Sequence, residues 1–211
     1  MAIDPQLSGD WTIDPTHSRI GFSSRHTMVS RVRGAFNDIS GTVRVDAEEV
    51  AASRAEVTIR VESVDTRNAD RDAHLLTPQF FDAEQFPTIT FVSTHIDEVD
   101  EEHFIVTGDL TIRDITRQVS LPLEFLGVGT DHFGNVRAGL EGSRRIDRKD
   151  WGVTWNAALD SGGVLISDKI SLEFELSLVK DGAPSAGQEP TGEQAADGQP
   201  AEERTRGEEA G

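Results

Sequence analysis

Four stretches of the chain carry an apolar residue at every second position, a period that a β-strand with one buried face satisfies and a helix does not. In the clearest, Ala55, Val57, Ile59 and Val61 alternate with Arg54, Glu56, Thr58, Arg60 and Glu62. Wound as a helix, those apolar groups would scatter around the circumference. The same period runs through Phe104, Val106, Gly108, Leu110 and Ile112, through Val119, Leu121, Leu123 and Phe125, and through Ile170, Leu172, Phe174, Leu176 and Leu178. Weaker strand patterns cover 11–14, 18–26 (Ile20 and Phe22 inward), 32–46, 88–96 and 136–147, for eight or nine strands in all.

Gly34 and Gly41 interrupt the long candidate at 32–46, where a residue without a side chain often marks a bend or bulge as a sheet curls into a barrel. Pro122 lacks a ladder donor, so its strand is expected to bulge there or to turn that edge outward. One interval breaks the alternation. Residues 67–81 set Ala69, Ala73, Leu75, Leu76 and Phe80 among Asp70, Arg71, Asp72 and His74, which suits a short helix capped by Asn68 or Asp70 and stopped by Pro78. Lying between strands, it is expected to cover one mouth of the barrel. The expected fold is therefore all-β: an antiparallel β-barrel of about eight strands with one short helix.

Residues 1–9 form an N-terminal extension, 10–180 the folded domain and 181–211 an acidic tail. From Asp181 to Gly211 there is no Val, Ile, Leu, Met, Phe or Trp, so nothing offsets the entropy of ordering and disorder is expected there. The tail carries eight acids against Arg204 and Arg206, leaving −12 of the total charge of −18 on the rest. So negative a surface repels phosphate backbones and anionic headgroups, and no basic stripe argues for nucleic acid. With no Cys, disulfides, thiolate metal sites and a Cys nucleophile are excluded. Residues 1–11 have no basic start or apolar run of signal-peptide length, and no segment is long and apolar enough to span a bilayer. The expectation is a cytoplasmic protein without stable membrane insertion.

Motifs of catalysis are weak. Asp160-Ser161-Gly162-Gly163 looks like the nucleophile segment of trypsin-like proteases, but Leu159 and Val164 break the pattern and no upstream segment supplies a base, so a Gly-rich turn is the better reading. His95 and His103 flank the acidic run 97–102 and could face each other across a hairpin, yet that run lacks the alternation and central Gly of a calcium loop. His17 and His26, nine apart, fall on opposite faces of an unbroken strand. Asp70, Asp72, Asp82 and His74 lie beside Arg67 and Arg71, where capping and ion pairing account for them. Trp151 and Trp155, after the basic run Arg144, Arg145, Arg148 and Lys149, suit either a plug at a barrel end or a wall facing a ligand. Period and composition do not say whether the barrel is filled by its own side chains or holds a ligand.

Several phrases resemble the YceI-like, polyisoprenoid-binding, lipocalin-like family: His17-Ser18-Arg19-Ile20-Gly21-Phe22 followed by His26, Val32-Arg33-Gly34-Ala35-Phe36, and Arg71-Asp72-Ala73-His74-Leu75. Downstream come Phe80-Phe81-Asp82, Phe86-Pro87-Thr88-Ile89-Thr90-Phe91, Gly108-Asp109-Leu110-Thr111-Ile112, Arg113-Asp114-Ile115-Thr116 and Arg148-Lys149-Asp150-Trp151-Gly152. They follow the family's order over 11–180. The resemblance implies an extended lipocalin-like barrel, often a homodimer, whose apolar tunnel binds, carries or sequesters a long polyisoprenoid lipid or isoprenoid quinone. It implies no enzyme and no cofactor beyond that ligand. By alternation Ile20, Phe22, Val57, Ile59, Phe91, Val106, Leu110, Phe125 and Phe174 line the tunnel. His26, Arg67, Arg71 and His74, near the expected mouth, are candidates for a polar or phosphorylated head, or else anchors of the helix. Two other functions remain: a filled-barrel protein–protein interaction module using the acidic tail, and an enzyme of the cavity resting on scattered His and Asp.

Overall fold

The computed structural model describes residues 5–27, 29–158 and 164–182; Asp160–Gly163 and the tail beyond Gly182 lie outside them. The described residues form eleven strands: β1 (Gly9–Ile13), β2 (Arg19–His26), β3 (Ser30–Phe36), β4 (Ile39–Val45), β5 (Arg54–Arg60), β6 (Val64–Asp65), β7 (Thr88–Glu98), β8 (His103–Ile112), β9 (Ile115–Thr130), β10 (Val136–Asp147) and β11 (Ile166–Lys180). Eight of them close an antiparallel ring in the order β1-β4-β5-β7-β8-β9-β10-β11, sealed by pairing of β1 with β11. The remaining three prolong it. β1 and β2 follow one another along β11, with Ile13 opposite Leu178 and Arg19 opposite Glu175, and β3 and β6 continue from β2. The expected eight-stranded barrel is therefore present, lengthened at one end.

The stretch 32–46 is two strands rather than one, broken at Asn37 and Asp38. The glycines expected to mark the bend serve close approach instead: a Cβ on Gly34 would stand 2.6 Å from Phe22 Cζ and 2.8 Å from Thr66 Cγ2. Pro122 stays in register with Ile105 of β8. Since Phe125 N donates to Glu102 O (2.7 Å), odd-numbered amides here face β8 and position 122 faces β10. The β9–β10 ladder stops at Leu123 and Gly142, one residue short of the missing donor.

The helix is shorter than expected: α1 spans Ala69–Leu75, with Asn68 Oδ1 accepting from Arg71 N at 2.9 Å. Leu75 and Leu76 pack against the core. We call the end that carries α1 and the β2–β3 and β8–β9 turns the mouth, and the opposite end the base. At the base Trp11 is 0% exposed and donates its indole N–H to Leu7 O (2.8 Å), the last residue of a 3-10 turn over Pro5–Leu7. Asp181 N donates to Asp10 O (2.9 Å), so contact with β1 runs one residue past β11.

Candidate functional site

The barrel is hollow. Its bore holds a cavity of about 340 Å³ whose wall is apolar apart from Ser24, Arg25, His26, Ser53, Thr66, Arg71 and Arg148. All nine residues assigned by alternation lie on this wall. Register explains how they meet: Ile20 stands opposite Phe174, Val57 opposite Phe91, and Phe91 opposite Leu110, so large side chains project inward in cross-strand pairs.

Of the four candidates for a polar head, His26 and Arg71 reach the wall; Arg67 and His74 do not. Arg71 Nε donates to Thr66 Oγ1 (2.7 Å) and Nη2 to Thr66 O (2.8 Å), while Asp72 accepts from Thr66 N (2.9 Å). Thr66 is buried, and this network fastens the start of α1 to the strand before it. Ser24 Oγ is buried on the wall with no hydrogen-bond partner among the described residues. Alternation places Ser24 inward, as it does Ile20 and Phe22, so this polar spot was open to the same reasoning. His74 instead stacks edge-on with Phe80 (5.0 Å) and Trp155 (4.9 Å) and lies 2.5 Å from Gln79.

The two tryptophans divide the roles left open for them. Trp151 is 3% exposed, lines the cavity and donates to Leu110 O (3.0 Å), so it is both plug and wall. Trp155 does not line the cavity; it packs against His74 and Phe80, and of these three only Phe80 reaches the wall. Between the two tryptophans lies a feature the sequence did not disclose. Arg148 is 6% exposed and donates to the carbonyls of Ser167 (3.1 Å), Val153 (2.6 Å) and Trp155 (2.9 Å) and to Asp168 Oδ1 (3.3 Å). Burial pushes its guanidinium pKa down, against the field of Asp168 and Asp147. It straps the segment after the 3-10 turn Arg148–Trp151 across the mouth.

A second ionic knot lies outside the bore. Arg137 donates to Asp14 (2.6 Å) and to Asp131 (2.7 Å), tying the β9–β10 loop to the link between β1 and β2. Burial alone would raise the Asp14 carboxyl, but hydrogen bonds from Arg137 and His17 outweigh it and hold the pKa well below the usual range. Hydrogen bonding by Arg137 holds Asp131 low as well. His95 and His103 do not face each other: His95 stands opposite Thr107 and bonds Asp97 (2.8 Å), and His103 bonds Asp100 (2.8 Å), which raises its pKa.

Comparison with known proteins places this geometry. A family model described as a YceI-like domain matches residues 11–178. A UPF0312 protein of Photorhabdus laumondii is 37% identical over 147 residues, covering 69% of this chain and 76% of the relative. One from Staphylococcus aureus is 34% identical over 173 residues, covering 80% and 98%. Among solved structures, Burkholderia cenocepacia BcnA superposes with a TM-score of 0.67 at 26% identity, over 78% of this chain and 98% of that one. A Campylobacter jejuni YceI protein gives 0.64 at 30% identity over 74% and 90%. A polyisoprenoid binding domain from Saccharophagus degradans shares the fold, with a TM-score of 0.61 at 18% identity over 81% and 98%.

Proposed function

Because the chain belongs to the YceI-like domain family, we propose that its barrel is a non-catalytic carrier that hides the tail of a long polyisoprenoid lipid or isoprenoid quinone from water. The observation that carries this reading is the apolar bore, left open by its own Phe and Leu side chains. Its volume of about 340 Å³ falls within the range of small-molecule sites, roughly 300–1,000 Å³. The polyisoprenoid-binding name borne by the Saccharophagus relative supports the same class of ligand.

The energetics favour length. Each buried methylene contributes on the order of 0.8 kcal/mol, so one five-carbon unit is worth about 4 kcal/mol gross. Eight such units would exceed the practical ceiling of roughly 20 kcal/mol, so ordering costs and imperfect contact cancel much of the sum. Affinity then follows chain length more than head chemistry. Ser24 Oγ and Arg71, polar points on a greasy wall, are the groups that meet the polar end. No cofactor beyond this ligand takes part. An open bore also favours a carrier over a filled barrel that acts only through its tail.

The test is organic extraction of purified protein, followed by mass analysis for polyprenyl lipids, beside a Val106→Phe variant that fills the bore. The expected result is lipid in the extract of the wild type and a loss of at least tenfold in the variant. Empty protein that also ignores added polyprenyl lipids overturns the reading.

A further inference from the structure

The chain is strongly acidic, yet its cations are segregated. In the half toward the base they are mostly neutralised locally: Arg19 by Glu173 and Glu175, Arg44 by Asp10, Arg137 by Asp14 and Asp131. Arg54 there is bonded to the carbonyls of Ala51 and Ser53. Toward the mouth, Arg31, Arg33 and Arg145 on the outer face and Arg25, exposed at the rim of the cavity, have no carboxylate partner among the described residues.

Register gathers these four. Arg25 stands opposite Arg31, and Arg33, Ser23, Ser171 and Arg145 form one row across β3, β2, β11 and β10. Like charges directly opposite one another are destabilising, so packing alone gives no reason for the Arg25–Arg31 pair. Beside them the β2–β3 turn exposes Val29 at 85%, the highest value among the exposed large hydrophobics of the described residues. Thr27 N donates to Leu165 O (2.8 Å), which brings Val164, 41% exposed, next to that turn. His26 and Ile166, at the same place, are already cavity wall. The opposite charge collects toward the base, where Glu124, Glu141 and Glu175 stand in one row across β9, β10 and β11 and the β7–β8 turn adds Asp100, Glu101 and Glu102.

We propose that the mouth end docks on a lipid bilayer bearing anionic headgroups, with Arg25, Arg31, Arg33 and Arg145 against the headgroup phosphates and Val29 and Val164 in the interface. A net negative charge repels such a surface at long range. Polarity decides orientation: near the membrane the acidic base is pushed away and the cationic mouth is drawn in. The cavity then opens toward the bilayer, and an apolar chain can pass between them without crossing water. That use rests on the carrier reading; the docking itself does not.

The test is flotation of the full chain with vesicles of phosphatidylcholine alone and with added phosphatidylglycerol, at low and high salt. Binding is expected only to the anionic vesicles and to weaken with salt as the Debye length shrinks. Each cation near the surface is worth about fivefold, so R31E/R33E is expected to cut binding by at least twentyfold. R44E/R54E makes the same change in net charge toward the base and is expected to leave at least half of the binding. Should R31E/R33E fail to fold, R25Q/R145Q on neighbouring strands carries the test, with an expected loss of at least tenfold. Equal binding to neutral vesicles, an equal loss in R44E/R54E, no binding at low salt, or retention of duplex DNA in place of vesicles overturns the proposal. Protein that floats but yields no lipid on extraction removes the carrier reading alone; protein that yields lipid but never floats removes the docking alone.

Discussion

At the base of the barrel an indole with no exposed surface is held by the carbonyl of Leu7, whereas at the mouth the cover is a two-turn helix, an arginine strap and a hairpin tip. The base is closed by packing of large apolar groups around Trp11, a seal that must be broken to open. The mouth is closed by hydrogen bonds to carbonyls and side chains, contacts that water can replace one at a time. The same eight strand lines therefore end in a stopper on one side and a latch on the other. A carrier that loads and unloads through one end needs that difference.

Trp11→Ala attacks the stopper and carries the largest expected effect. Truncating a fully buried tryptophan costs about 3–5 kcal/mol, to be read from denaturant midpoints, and the opened base is expected to speed release of any bound lipid. Arg148→Met attacks the latch. It leaves three carbonyls unpaired and Asp168 without its buried partner, an expected loss of about 3 kcal/mol, with hydrogen exchange rising over 152–158 and little change in β4 or β5. Equal exchange at both ends would erase the contrast.

Arg137→Gln loosens the knot outside the bore, and its mark is a change in pH dependence. Both Asp14 and Asp131 are held below the ordinary carboxylate range when folded. Their share of stability is thus complete above the unfolded carboxyl value, about 3.9, and is lost as pH falls below it. Thermal melts are expected to show a steeper loss below pH 4 in the wild type than in the variant. Asn68→Ala, which removes the cap of α1, has the smallest expected effect, about 1 kcal/mol, with faster exchange confined to the mouth.

Much of this was legible in residue order because a strand shows its inward face at every second position. That one rule puts Ile20, Phe22, Val57 and Phe174 on the wall from residue order alone, and the phrase Asn68 to Pro78 locates the helix. The break between β3 and β4 had a signal as well. Phe36 and Ile39 are both buried but three apart, an odd spacing that an unbroken strand would put on opposite faces. Other features were hidden for physical reasons. Arg148 is one of four cations in the basic run before Trp151 and Trp155, and only the path of the chain around it brings three carbonyls within reach. The acidic base and the four unpaired arginines of the mouth were equally invisible, since net charge sums over a surface that the fold divides.

The most direct measurement is a crystal structure of the protein purified from its host without added lipid. The account expects continuous, elongated density along the bore between Trp11 and Trp151, flanked by Phe22, Phe91 and Phe174. A bore collapsed onto its own side chains, or one filled by ordered water, would contradict it.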